Sequence, residues 1–200
     1  KGLINLLFHQ LKIYEKQLLK SGNFEQITVF YKSAFDILRA MYHPGYSSKL
    51  TQEFGKKYLQ SLGEKKRLED DVYIRMLTWC GDITEARAKA SEKELLPKAE
   101  KELSRWRKKV LAANNPVANC FLGIAEATYW KCFEDPQKYI EAYNFALKGF
   151  YEANGGVEKK WEGVLLSETA FGYLSLNQAA KALELYDRVM VAFPDTVGAH

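Results

Sequence analysis

Cysteine, histidine and proline are scarce in this chain of 200 residues: three Cys, three His and five Pro. The cysteines, Cys80, Cys120 and Cys132, are odd in number and form no CxxC pair, which argues against a disulfide framework and a structural zinc site. Such usage fits a reducing, cytoplasmic setting. His9, His43 and His200 are scattered, and HExxH, GxSxG, GxxxxGK[ST] and GxGxxG are all missing. No catalytic, metal or cofactor constellation is therefore expected, and the chain reads as non-enzymatic. No apolar run approaches the ~20 residues of a membrane-spanning helix. Runs of alternating β-branched residues closed by a hairpin turn are also missing, so strands are not expected. The opening Lys1-Gly2-Leu3-Ile4 reads as an internal boundary.

What is present is helical periodicity. Leu3, Leu6, Leu7, Leu11, Tyr14 and Leu18 follow an i, i+3, i+4, i+7 stripe that stops at Ser21-Gly22-Asn23. Further helices are predicted over 24–42, 47–62, 69–80, 84–95, 97–113, 117–133, 139–153, 157–176 and 179–193. Breaks are expected at His43-Pro44-Gly45, Gly63, Gly81-Asp82, Asn114-Asn115-Pro116, Glu134-Asp135-Pro136 and Asn154-Gly155-Gly156. Pro97 is expected in the first turn of its helix. The fold class is all-α, with about nine or ten helices, read as one domain over 1–200 because no Ser-, Pro- or Gly-rich linker interrupts it.

Four segments share a turn followed by an Ala-containing or apolar helix, at Gly22, Gly81, Asp135 and Asn177. In the last, Leu166, Ala170, Tyr173, Ala182, Tyr186, Val189 and Pro194 have the spacing of a tetratricopeptide repeat. Gly22, Ile27, Tyr31 and Ala34 fit the second helix of a first repeat. Tyr73, Ile74, Leu77, Gly81, Ala86 and Ala90 fit another. Phe121, Ile124 and Ala125, with Ala142 and Ala146, fit a third. The chain thus resembles an irregular tetratricopeptide (TPR)-like α-solenoid of stacked antiparallel helical hairpins, with extra helices near 47–62 and 98–113. The competing reading is an ordinary all-α bundle whose stripes imitate the repeat.

The resemblance implies a concave groove lined by the first helix of each hairpin. Carried over, it nominates Lys12 and Lys16 in the first hairpin, Arg75 and Trp79 in the second, Glu126, Tyr129 and Trp130 in the third, and Phe171 in the last. Such a groove, basic at one end and aromatic at the other, implies a protein or peptide partner with an acidic part and an apolar anchor. The implied function is a non-enzymatic interaction scaffold. The alternative is a helical small-molecule or lipid-binding accessory protein of a transport or cell-envelope system, its aromatics lining a closed cavity. Lys12, Lys16 and Lys20 also fit a plain solvated helix face. Arg105-Trp106-Arg107-Lys108-Lys109 is the strongest basic cluster. Its Trp106 shares a face with Leu103 and Val110, and Glu100 and Glu102 dilute the charge, which argues against nucleic-acid binding at a net charge of only +4. Apolar hairpins at the ends of an array often need a cap, so self-association fits the reading.

Overall fold

The computed structural model describes residues 2–40, 49–88 and 92–193. Among these the fold is all-α, with nine α-helices, one short 3₁₀ turn and no strand. The helices are α1 (Gly2–Ser21), α2 (Phe24–Ala40), α3 (Lys49–Leu62), α4 (Leu68–Ala88), α5 (Glu92–Ala113), α6 (Pro116–Cys132), α7 (Pro136–Glu152), α8 (Lys160–Ser175) and α9 (Ala179–Ala192). They fall into two compact units, residues 1–67 and 68–200. The breaks expected at 43–45, and Pro194 and Ala90 of the repeat pattern, lie outside the described residues.

In the first unit, Gly22 adopts a positive φ of 68° between α1 and α2. Only glycine takes that conformation without a Cβ penalty. The Asn23 side chain then accepts from the Gln26 N–H at 3.1 Å and caps the start of α2. Ala34, Phe35, Leu38 and Phe54 form the core between α2 and α3. A charged cluster sits beside it. Lys57 Nζ donates to Glu15 at 2.6 Å and to Glu53 at 2.7 Å, and the Tyr31 hydroxyl donates to Glu15 at 3.1 Å. Glu15 is only 6% exposed, so these donors offset the cost of burying its charge.

The second unit is built around α6, which packs against α4, α5 and α7. Pro136 occupies the first turn of α7, where its missing N–H costs nothing, and Asp135 caps it by accepting from the Lys138 N–H at 3.0 Å. Asn115 caps α6 in the same way and donates to Glu69 at 3.1 Å, tying the start of α6 to α4. Helices α6 and α7 meet through small residues. A Cβ on Gly123 would lie 2.8 Å from Ala142 O and Ala146 Cβ, and one on Gly149 would lie 2.6 Å from Cys120 N. Ala142 and Ala146 are thus the small residues of a close helical hairpin. Helix α8 packs on α7 and on α9, with Leu165, Leu166 and Ala170 buried.

Two sequence expectations are corrected. Gly81-Asp82 is no turn: α4 runs through it to Ala88. Cys80 and Ile83 are buried on either side, and Cys80 Sγ lies 3.3 Å from Thr128 Oγ1 on α6. That packing outweighs the roughly 1 kcal/mol a mid-helix glycine costs. Pro97 does not open a helix either; it stands inside α5, which starts at Glu92. Pro97 itself is exposed, while Leu96, Leu103, Trp106 and Val110 bury the face that holds the helix in place.

Candidate functional site

The residues nominated for a groove separate into a covered set and an open set. Helix α5 lies on much of the face that the resemblance leaves open. Trp79 on α4 is 5% exposed and meets Trp106 of α5 edge-on, with ring centroids 6.2 Å apart. Arg75 donates to Asp71 at 2.8 Å, reaches Glu102 of α5 at 3.6 Å, and places its guanidinium 4.5 Å from the Trp106 ring centroid. Glu126 on α6 is 7% exposed and pairs with Arg107 of α5. Burial pushes its carboxyl above the ordinary range despite that guanidinium. Tyr129 is 3% exposed, and burial, with Glu100 of α5 opposing ionisation, pushes its phenol up to about 12. Arg75, Trp79, Glu126 and Tyr129 are therefore packed beneath or against α5 and line no open groove. The extra helix near 98–113 was visible in the sequence; that it covers these residues was not.

In the first unit, Lys12 joins Glu53 and Glu15 and lies 5.4 Å from the Phe54 ring centroid. Burial alone would raise the Glu53 carboxyl, but hydrogen bonds from Lys12 and Lys57 outweigh it and hold it below its ordinary value. Lys12 is thereby neutralised within the fold. Lys16 is exposed.

Trp130 and Phe171 are brought together. They line a cleft of about 440 Å³ with Lys131, Glu134, Asp135, Pro136, Tyr139 and Ser175. The cleft is formed by the end of α6, the turn into α7, the first turn of α7 and the last turns of α8. It is open to solvent: Phe171 is 49% exposed, and Glu134 is also exposed. Its volume is in the range of ligand and anchor-residue pockets.

Local chemistry explains its shape. Positive φ at Glu134, 53°, turns the chain sharply between α6 and α7. The Asp135 cap and Pro136 then fix the first turn of α7, which presents Tyr139. Gly172 lets α8 approach, since a Cβ there would fall 2.6 Å from Ile140 Cγ1 and 2.9 Å from the Tyr139 ring. The Tyr139 hydroxyl donates to Glu168 of α8, which also receives Lys131 Nζ at 3.1 Å. Burial, Tyr143 and Glu168 push the Tyr139 phenol far above its ordinary value, so it stays a protonated donor. Behind the cleft, Trp130 packs against Tyr129 and Phe133 at centroid distances of 5.0 and 6.1 Å.

The cleft therefore has three aromatic rings, one lysine held by a carboxylate, and two further carboxylates at the turn. Pro136 and Tyr139 escaped the sequence reading because they follow the turn, on the helix expected to face away. The Asp-Pro capping signal was present, but it marks a helix start and not a cleft. Among the described residues no group of three His, Cys, Asp or Glu side chains could hold a metal ion, and no helix is long and apolar enough to cross a membrane. No protein-family model matches the chain, and no curated protein or solved structure matches it either.

Proposed function

We propose that the chain is a non-enzymatic interaction scaffold of irregular TPR-like hairpins that seats one side chain of a partner segment in the Trp130–Tyr139–Phe171 cleft. The observation that carries this reading is the exposed Phe171 ring beside an open, aromatic-lined cleft on a rigidly packed pair of helices. Aromatic anchors at well-ordered clefts carry a disproportionate share of binding energy. The seat is rigid because α6 and α7 meet through Gly123 and Gly149 and because Asp135 fixes the turn, so little ordering entropy is lost on binding. Helix α5 covers Trp79, Glu126 and Tyr129 of the implied groove, and the open cleft between α6, α7 and α8 supports this end as the partner's seat. A second reading, a small-molecule site, is favoured by the cleft volume and disfavoured by its openness.

Affinity purification with mass spectrometry tests the proposal, comparing the wild-type chain with Phe171→Ala and with Phe24→Ala. Phe24 is 83% exposed and belongs to the other unit. A specific protein recovered by the wild type and by Phe24→Ala, and lost with Phe171→Ala, is expected. Equal recovery by all three refutes the proposal.

A further inference from the structure

The outer face of α5 is a row of cations. Lys98, Lys101, Arg105 and Lys108 stand at i, i+3, i+7 and i+10 and are all exposed, while Leu96, Leu103, Trp106 and Val110 bury the opposite side. At about 1.5 Å of rise per residue the row is about 15 Å long. The sequence suggests that Glu100 and Glu102 dilute this charge. In the fold both have other partners. The Tyr129 hydroxyl donates to Glu100, and Glu102 reaches Arg75 of α4 at 3.6 Å. Glu102 also comes within 3.6 Å of Arg105, whose side chain is still 72% exposed. Among the described residues, Lys98, Lys101 and Lys108 have no acidic partner.

The make-up of the row selects its partner. A protein interface is centred on apolar and aromatic anchors, and a helix lying on a membrane inserts a broad apolar face. This face offers only Leu111, beyond the end of the row. A single strand stacks its bases on exposed rings, but Trp106 is 5% exposed and lies beneath the row. Cations without anchors match a regular row of phosphates. Each strand of a duplex presents one phosphate per about 3.4 Å of axis, so about 15 Å of helix faces about four of them. We propose that the outer face of α5 binds the phosphate backbone of double-stranded nucleic acid without reading its sequence. This surface is separate from the Trp130–Phe171 cleft, and the proposal does not rest on the reading of that cleft.

The test is fluorescence anisotropy of a labelled duplex of about 20 base pairs titrated with the full chain, in sodium chloride from about 20 to 80 mM. Saturable binding is expected, with the logarithm of affinity falling against that of salt at a slope of about −3 to −4, which is about 100-fold over that range. Lys101→Glu/Lys108→Glu is expected to weaken binding about tenfold or more and to reduce the slope by about 2, with unchanged circular dichroism. Lys101→Gln/Lys108→Gln is expected to act in the same direction with a smaller effect. Lys16→Glu/Lys20→Glu makes the same change of net charge on exposed residues of the first unit and is expected to leave binding within about twofold. A duplex of unrelated sequence is expected to bind equally well. Failure to bind at 20 mM salt, a flat salt dependence, or equal losses from the two charge-reversal variants overturns the proposal. Tighter binding to vesicles of one part phosphatidylserine and three parts phosphatidylcholine, or to polyglutamate, assigns the face to another polyanion and also overturns it. Phe171→Ala is expected to leave duplex binding unchanged, so the two surfaces are tested separately.

Discussion

Gly149→Ala tests the packing that holds the cleft in place. The added Cβ would lie 2.6 Å from Cys120 N, 2.7 Å from Pro116 O and 3.1 Å from Asn119 Cβ. Two of these three are backbone atoms of the first turn of α6, so no side chain can rotate away from the first two clashes. Relief requires α6 and α7 to separate along their whole length, which forfeits part of the dispersion energy at every contact between them. Overpacking of this kind costs about 1–3 kcal/mol. Removing a mid-helix glycine returns about 1 kcal/mol through backbone entropy. With the clash on backbone, the upper half of the range applies and the net loss is about 1–2 kcal/mol. For a chain of this size that lowers the melting temperature by about 2–8 °C. The assay is thermal unfolding followed by circular dichroism at 222 nm, with Gly163→Ala as the comparison. There the added Cβ meets only the Phe193 ring edge at 3.2 Å, a side chain that can move. Gly163→Ala is expected to be neutral or slightly stabilising. A Gly149→Ala variant as stable as the wild type would refute the close-packing argument.

Further outcomes follow from buried ionisable groups. Burial raises the Glu126 carboxyl in the folded state, so the native chain holds that proton more tightly than the unfolded chain does. Its contribution is then most favourable below the unfolded pKa and is lost as pH rises through the higher folded value. The stability of the wild type relative to Glu126→Gln is therefore expected to fall as pH rises above the unfolded carboxyl value of about 4 in urea titrations; a difference that grows with pH would contradict this. Burial pushes the Cys80 thiol up to about 11 and the Cys120 thiol up to about 12. Native-state labelling with iodoacetamide at pH 8 should modify Cys132 first and leave the other two intact, which peptide mapping reads directly; fast modification of Cys120 would contradict its burial. Loss of the Asp135 cap in Asp135→Ala should cost about 1 kcal/mol in denaturant unfolding, and no change would show that the cap is redundant with Pro136.

Much of the helical layout was legible because its punctuation is local. Gly22, Asn115 and Asp135 end or begin helices through their own backbone and side-chain chemistry, so a single sequence reveals them. Gly81-Asp82 misled because its fate is decided by burial of Cys80 and Ile83 against α6, a long-range effect that local propensity does not encode. The same holds for Pro97, which the apolar face of α5 overrides. For the site, the spacing of the last two hairpins led to Trp130 and Phe171, which do share a cleft. The resemblance also nominated Trp79 in the second hairpin and Glu126 and Tyr129 in the third, whose position under α5 depends on where a non-repeating helix docks. Apolar and amphipathic residues on a helix face look alike in sequence whether a partner or another segment of the chain covers them.

Site-specific photo-crosslinking tests the central claim most directly. A photoreactive phenylalanine is placed at position 175, on the cleft, and in a second preparation at position 148, on the exposed side of α7, where Lys148 is 72% exposed. The account predicts a partner crosslinked from 175, not from 148, and lost when Phe171→Ala is added. Equal crosslinking from both positions, or crosslinking from 175 that survives Phe171→Ala, would contradict it.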